Sequence, residues 1–395
     1  MIGVLGFLIG AAALLLLLPA TVLFSEVLFS FIPFDGLSRE EGERGRIAVL
    51  MPAHNEASII ATTLRSVKPQ LASSDRLVVV ADNCSDDTKL VAIAEGAEVI
   101  VRTDLARRGK GYALDYGVRH LELDPPQILI VIDADCLVAP DTIDTLARVS
   151  ARASRPVQAL YLMYAPKDSG LRLRIAEFAF LVKNKVRPLG LRRLGLPCQL
   201  MGTGMAFPWT CISTAALATG HIVEDLKLGI DLARAGTPPT FCAEALVTSQ
   251  FAASSEGSQS QRTRWEHGHL GLIVSDTPRL LLESVFTLDL KLLALALDLS
   301  IPPLALLALM NALVWIMSAS FFLVTKHQTP LIIASTSIVL LALSALLSWT
   351  GYGRHILSLG NLIYAVFYAI MKVPLYAKFL VARQLDWVRS KRDQD

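Results

Sequence analysis

The sequence predicts an α/β protein with a mostly parallel central sheet, accompanied by transmembrane helices at the N-terminus and in the C-terminal region. Three observations predict it. Of 395 residues, 53% are hydrophobic and 18% charged, a more apolar balance than the average soluble domain of about 45–50% and 25%. Uncharged tracts long enough to cross a bilayer lie at both ends of the chain. Between them, short apolar runs alternate with helical patterns, as in βαβ units. So apolar a chain is not disordered. A formal charge of +2 gives no footprint for nucleic acid. The five cysteines, Cys84, Cys136, Cys198, Cys211 and Cys242, are odd in number and form no CxxC pair. That argues against a disulfide scaffold or zinc knuckle and for reduced thiols.

Residues Ile2 to Phe34 carry one charge, Glu26, and read as an uncleaved anchor over 1–35. A signal peptide would need basic residues ahead of the run, and the first is Arg39. Arg39, Arg44 and Arg46 follow the run, so the next domain is expected in the cytoplasm. That domain spans 45–278. Its expected strands are Ile47 to Met51, Leu77 to Ala81, Val99 to Val101 and Ile128 to Ile132. Helical patterns lie after Ile59, up to Glu95, and over Tyr112 to Leu121. In open α/β sheets ligands bind at the carboxyl ends of strands, which brings Glu56, Asp82, Asp133 and Asp135 to one edge. Ala252 to Ser260 reads as a mobile loop. Residues 280–300 mix Leu with Asp289, Lys291 and Asp298, a pattern for an interfacial helix. The C-terminal membrane region covers 301–395. Ile301 to Val324 and Leu331 to Thr350 are two full spans, and Ile356 to Met371 is a re-entrant or interfacial helix or a third span. The tail beyond is basic and prefers the cytoplasm.

Several clusters carry chemistry. Asp133-Ala134-Asp135 after a buried strand offers hard oxygen ligands to Mg²⁺ or Mn²⁺, or it is a solvated turn. Asp82 ends its strand and is open to a base or ribose, while Ser85, Asp86 and Asp87 suit a helix cap. Lys110 sits among glycines before a helix, where it can meet phosphate as a point charge. Glu224-Asp225 supplies a general base or a carboxylate pair favoured by a helix dipole. Gln261-Arg-Thr-Arg264-Trp265 places a cation and a stacking ring together, or lies against a membrane. His267 and His269 read as ordinary polar residues. Leu171 to Gly195 is a basic amphipathic stretch suited to headgroups or to an anionic, lipid-linked acceptor.

In order, Asp82, Asp133-Ala-Asp135, Glu224-Asp225 and Gln261-x-x-Arg264-Trp265 resemble the motif set of family 2 inverting glycosyltransferases. The similarity is to the membrane-bound branch with cellulose synthase, hyaluronan synthase and ceramide glucosyltransferase. Pro52-Ala-His-Asn-Glu56 resembles that family's first strand and turn, and Met201-Gly202-Thr203-Gly204-Met205 its acceptor-side loop. The match covers about residues 46 to 270.

The resemblance implies a GT-A fold, a nucleotide-diphospho-sugar donor, UDP-linked by analogy, and Mg²⁺ or Mn²⁺. It implies that Pro52, Glu56 and Asp82 bind the nucleoside and that Lys110 lies near the diphosphate. Asp133, Ala134 and Asp135 would hold donor and metal, Asp135 more directly. Asp225, beside Glu224, would be the base. Gln261, Arg264 and Trp265, with Gly202, Thr203 and Gly204, would gate acceptor and diphosphate. The implied enzyme is an inverting, metal-dependent hexosyltransferase acting on a lipid or lipid-linked saccharide, in glycolipid or exopolysaccharide synthesis. Polymer-secreting synthases resemble the chain in motifs but have more membrane helices. Two other readings stay open: a processive synthase that oligomerises or works with polysaccharide-export partners, and a membrane-tethered nucleotide-sugar sensor.

Overall fold

A computed structural model describes residues 2–33, 44–251 and 255–381. Arg39, the tail from Arg383 onward and residues 252–254 lie outside the described residues. The described chain divides into two compact units. One is built from Met1–Pro33, Lys167–Gly195 and His269–Gln384, the other from Phe34–Pro166 and Leu196–Gly268.

The second unit is built on a mixed sheet. Its strands are β1 (Ile47–Ala53), β2 (Arg76–Asp82), β3 (Glu98–Arg102), β4 (Ile128–Val131), β5 (Leu137–Val138), β6 (Val157–Tyr164), β7 (Met205–Pro208) and β8 (Thr240–Gln250). Their order is β3-β2-β1-β4-β7-β6-β8-β5. The half β3-β2-β1-β4 is parallel. Its crossovers carry the helices Ile60–Val67, Thr88–Ala94 and Lys110–Leu121. Strands covered on both faces read as continuous apolar runs, and Ile47 to Met51 and Val78 to Val80 are each fully buried. Leu50, Val80, Leu129 and Phe207 share one core cluster. Each such side chain contributes about 1.5–3 kcal/mol by leaving water.

The strand order reverses between β1 and β4, so a crevice opens at their carboxyl ends. β7 runs antiparallel to β4, with Met205 opposite Val131. The segment before β7, Met201 to Gly204, therefore arrives at the same edge as the residues after β4. β6 pairs antiparallel with β7 and parallel with β8, with a bulge between Ala159 and Leu160. The sheet is thus α/β and mostly parallel, as expected. All five cysteines are free.

The first unit is helical. Among the described residues, four segments are long and apolar enough to cross a membrane: Ile2–Phe29, Leu304–Thr325, Thr329–Gly353 and Leu359–Phe379. The first, at 28 residues, is about 42 Å long at 1.5 Å per residue. The last is a series of short helices, Leu359–Ile363, Ala365–Met371 and Val373–Val381. Its length matches a third trailing span and its breaks match a re-entrant segment.

Three local expectations are corrected here. Residues 280–300 form two helices, Thr277–Thr287 and Leu290–Leu299. The chain turns at Leu288, whose φ is +52°, and Asp289 caps the second helix by accepting from Lys291 N at 2.8 Å and Leu292 N at 3.1 Å. Asp298 is not on a polar face: it is buried with Arg187, which also donates to Glu26 of the first helix at 2.7 Å. Arg187 is thus withdrawn from the basic surface expected over Leu171 to Gly195. Residues 255–260 are not a loop but the start of the helix Ser255–Ser275. Ser and Gln are weak breakers, so their clustering did not exclude a helix.

Candidate active site

At the β1 and β2 ends the polar groups bind one another. Pro52 lies within β1. Asn55 takes φ +54°, which a short amide side chain tolerates. Its Nδ2 donates to Ser85 Oγ at 3.0 Å, and Ser85 N donates back to Asn55 Oδ1 at 2.7 Å. Glu56 N donates to Thr88 Oγ1 at 2.7 Å. Asp86 accepts from Ala57 N at 3.1 Å and Thr88 N at 3.0 Å, so it caps the start of the helix at Thr88. Asp87, the formal cap residue, makes no capping bond.

Asp82 is the last residue of β2 and is buried. It was expected to be open to a ligand, yet Arg102 Nη1 donates to its Oδ1 at 2.6 Å and Asn83 Nδ2 to the same atom at 3.0 Å. Both bonds fall on Oδ1, and neither uses Oδ2. Arg102 escaped the sequence reading, although it is the charged last residue of an apolar run. It also donates to the Arg107 carbonyl at 2.7 Å, which fixes the loop ahead of Lys110.

At the β4 end charges converge without balancing. Lys110 opens the helix Lys110–Leu121 after Gly109, whose φ is +126°. Its ammonium bonds tightly to Asp133 Oδ1 and donates to the Gly202 carbonyl at 2.7 Å. Thr203 Oγ1 accepts from Asp133 N at 3.1 Å. Glu224 and Asp225 form the first turn of the helix Glu224–Arg234. Gly202 marks the centre. A Cβ there would lie 3.3 Å from Asp225 Oδ2, 3.7 Å from Lys110 Nζ and 4.0 Å from Asp133 Oδ2, and its φ is +90°. Only glycine keeps both that backbone and that space. Beside the acidic pair, a cavity is lined by Gly111, Leu114, Met205, Leu217, Glu224 and Asp225.

The electrostatics record the imbalance. Burial raises the Asp133 carboxyl, Lys110 pulls it down, and Asp135 and Asp225 push it up again, leaving it above the usual carboxylate range. Burial and then Asp225 raise Glu224 to about 7, against Lys110 and Arg264. Burial alone would lower Lys110, but Asp133, Glu224 and Asp225 outweigh it and hold the ammonium above the ordinary lysine range. Arg264 therefore acts on Glu224. Gln261, Arg264 and Trp265 share the helix Ser255–Ser275 at spacings that put them on one face. Gln261 Oε1 is buried with no hydrogen-bond partner among the described residues.

His267 is buried, and in the helical unit the His269 Nε2–H donates to the Leu299 carbonyl at 3.2 Å. Burial, then Lys183 and Arg187, lowers His269 to about 3, so it stays neutral. Both histidines are packed residues rather than surface ones.

The donor set at the β4 end suits a divalent cation. Asp133 and Asp135 flank the buried Ala134, and burial with Asp135 and Asp225 holds the Asp133 carboxyl above its usual range despite Lys110. Among the described residues no group of three or more His, Cys, Asp or Glu could hold an ion on its own. One or two carboxylates completed by phosphate and water is the arrangement usual for Mg²⁺.

An open α/β sheet with carboxylates and a lysine gathered at its strand ends defines the class: an α/β fold with its ligand crevice at the carboxyl ends of the strands. The family model described as "Glycosyltransferase like family 2" matches residues 44–268, more than half of the chain, and the protein belongs to that family. Glucosyl-3-phosphoglycerate synthase of Mycobacterium tuberculosis is 35% identical over 105 residues, 25% of this chain and 32% of that protein. An uncharacterized protein of Methanocaldococcus jannaschii is 34% identical over 108 residues, 27% of this chain and 43% of its own. The chain thus spans under half the length of these curated relatives. Among solved structures, a mannosyltransferase of Pyrobaculum calidifontis in complex with GDP-Man and Mn²⁺ aligns with a TM-score of 0.55 at 14% identity, over 95% of this chain and all of that one. That likeness is one of fold.

Proposed function

We propose that the protein is a membrane-anchored inverting glycosyltransferase that moves a hexose from a nucleotide-diphospho-sugar to a lipid or lipid-linked saccharide. The observation that carries this reading is the meeting of Lys110, Asp133 and Asp225 around Gly202, with Glu224 and Arg264 in the same field. A lysine and an arginine facing carboxylates suit a diphosphate that departs with growing charge. Pro52, Glu56 and Asp82 hold the nucleoside. Asp133 and Asp135 hold Mg²⁺ or Mn²⁺, which neutralises diphosphate charge when bound. Relatives support the donor and metal classes: the mannosyltransferase was solved with GDP-Man and Mn²⁺.

Asp225 takes the proton of the acceptor hydroxyl as its oxygen attacks the anomeric carbon. The carbon–diphosphate bond breaks on the opposite face, and the electron pair leaves with the diphosphate. One displacement inverts the centre, so an α-linked donor gives a β-linked product. Lys110 and Arg264 stabilise the leaving group, while Gln261 and Trp265, with Gly202, Thr203 and Gly204, position the acceptor. The long apolar helices in the same chain favour a lipid acceptor. In this reading residues 45–278 form the catalytic segment, facing the cytoplasm; 1–35 and 301–395 anchor it, and the two helices Thr277–Thr287 and Leu290–Leu299, rather than one, take the interfacial role. The motif set in this reading resembles that of the membrane-bound branch, whereas the similar proteins reported above are a mannosyltransferase and glucosyl-3-phosphoglycerate synthase.

The test is donor turnover by the full chain in native-lipid nanodiscs, with a panel of UDP- and GDP-sugars and Mn²⁺. Metal-dependent release of one nucleoside diphosphate, with a labelled lipid product and loss in Asp225→Asn, is expected. A long polymeric product would favour the processive synthase. Tight nucleotide binding without turnover would favour the sensor.

A further inference from the structure

The segment Met201 to Gly204 supplies the site with the Gly202 carbonyl for Lys110 and the Thr203 hydroxyl for Asp133 N. It has no helix or strand of its own to hold it. Its backbone at Met201 and Thr203 is held by one side chain from the neighbouring strand. Gln158 lies in β6, opposite Met205 of β7, and is fully buried. Its Oε1 accepts from Met201 N at 2.8 Å, and its Nε2 donates to the Thr203 carbonyl at 2.9 Å and the Ala159 carbonyl at 2.9 Å. One amide therefore clamps both sides of Gly202. Its orientation is forced, because a flip would turn NH₂ toward an N–H and oxygen toward two carbonyls. Ala159 N donates to the Gly204 carbonyl at 2.8 Å, closing the clamp one residue further on.

We propose that Gln158 is a positioning residue for the transfer reaction: through the Met201–Gly204 segment it sets where Lys110 and Asp133 stand. The chain of contacts is continuous. Gln158 fixes Thr203, Thr203 fixes the backbone of Asp133, and Lys110 bridges Asp133 to Gly202. Gln158 itself reaches neither Lys110 nor Asp133. A purely apolar side chain would fill the same space and leave Met201 N and the Thr203 and Ala159 carbonyls without their partner. A buried amide inside an otherwise apolar strand, Val157 to Met163, is costly unless fully bonded, and here each amide group has a partner.

The proposal rests on the transferase reading, and the experiment separates the two. Gln158→Leu, Thr203→Val, Thr203→Ser and a packing control, Leu146→Ala, are made in the full chain in nanodiscs. Leu146 is fully buried on the helix Thr142–Ala153, outside the site. Each is assayed for Tm, for kcat and donor KM, and for binding of Mn²⁺ with UDP or GDP. Gln158→Leu is expected to lower kcat about 10–100-fold, the range seen when groups that orient metal ligands are removed. Thr203→Val should give a similar loss, Thr203→Ser should recover part of it, and the double variant should be no worse than either single one. Leu146→Ala should lose comparable Tm while keeping its kcat. If Gln158→Leu loses Tm but keeps kcat as Leu146→Ala does, the amide is only structural and the proposal is overturned. Should Gln158→Leu fail to fold, Thr203→Val with wild-type kcat overturns it equally. A wild type that turns over no donor would sink the transferase reading instead. Positioning is then judged on metal–nucleotide binding, expected about tenfold weaker in Gln158→Leu; equal binding overturns it.

Discussion

The two ends of the crevice are built on opposite principles. At β1 and β2 the polar groups answer one another: Asp82 with Arg102, Asn55 with Ser85, Asp86 with the N–H of Thr88. At β4, Asp133, Asp135, Glu224 and Asp225 gather with Lys110 and Arg264, and burial first, then neighbouring carboxylates, pushes Asp133 and Glu224 up. The balanced end is held together by its own bonds and, on the proposed reading, offers a ready-made seat to the uncharged nucleoside. The unbalanced end is finished only by something that brings charge, and functional sites are where such tension collects. Substitutions of the supporting partners Arg102 and Asn55 should therefore cost mainly stability at the first end, and substitutions at the second mainly activity.

The largest contrast is expected from Asp225→Asn. Loss of a general base lowers kcat about 10²–10⁴-fold, while Tm stays level or rises because a crowded carboxylate has gone. A Tm fall of many degrees with kcat retained would reverse the comparison. Arg102→Met should do the opposite. It leaves Asp82 buried beside no cation, at a cost of about 3–5 kcal/mol, read as a lower denaturant midpoint at unchanged m-value. Asn55→Ala removes the exchange with Ser85 and puts alanine at φ +54°. A loss of about 1–2 kcal/mol is expected, with kcat per folded molecule close to wild type.

The smallest effect sharpens the contrast. Glu224 is raised from 4.5 to about 7, so the folded protein binds its proton more tightly than the unfolded chain. The stability this gives is fully present below about pH 4.5 and is lost as pH rises toward 7. Glu224→Gln should flatten that part of the Tm profile without metal, and the variant should be the more stable protein above pH 7. Identical slopes would show that burial does not tension this carboxyl.

Much of the crevice was legible in the sequence because it depends on local pattern. Ile47 to Met51, Leu77 to Ala81 and Ile128 to Ile132 read as buried parallel strands, since such strands are apolar on both faces. Acidic residues placed just after those runs then share an edge by topology alone. What escaped depends on partners distant in the chain. Asp82 looked available because Arg102 sits twenty residues away with no periodicity to connect them. Gln158 was invisible as one amide in an apolar run until β7 brought the Met201 segment beside it. Arg187 and Asp298 read as surface charges, although they are buried with each other 111 residues apart. The start of the helix at Ser255 was missed because small polar residues are compatible with loop and helix alike.

The central claim is that the unbalanced end is completed by a divalent cation and a nucleoside diphosphate together. Isothermal titration of Mn²⁺ into the full chain in nanodiscs, with and without saturating UDP or GDP, tests it most directly. The account predicts that one nucleotide tightens Mn²⁺ binding by at least about tenfold, within the usual range of coupling between sites, and that Asp135→Asn abolishes the gain while leaving the metal-free Tm near wild type. Mn²⁺ binding indifferent to both nucleotides, or undiminished in Asp135→Asn, would contradict it.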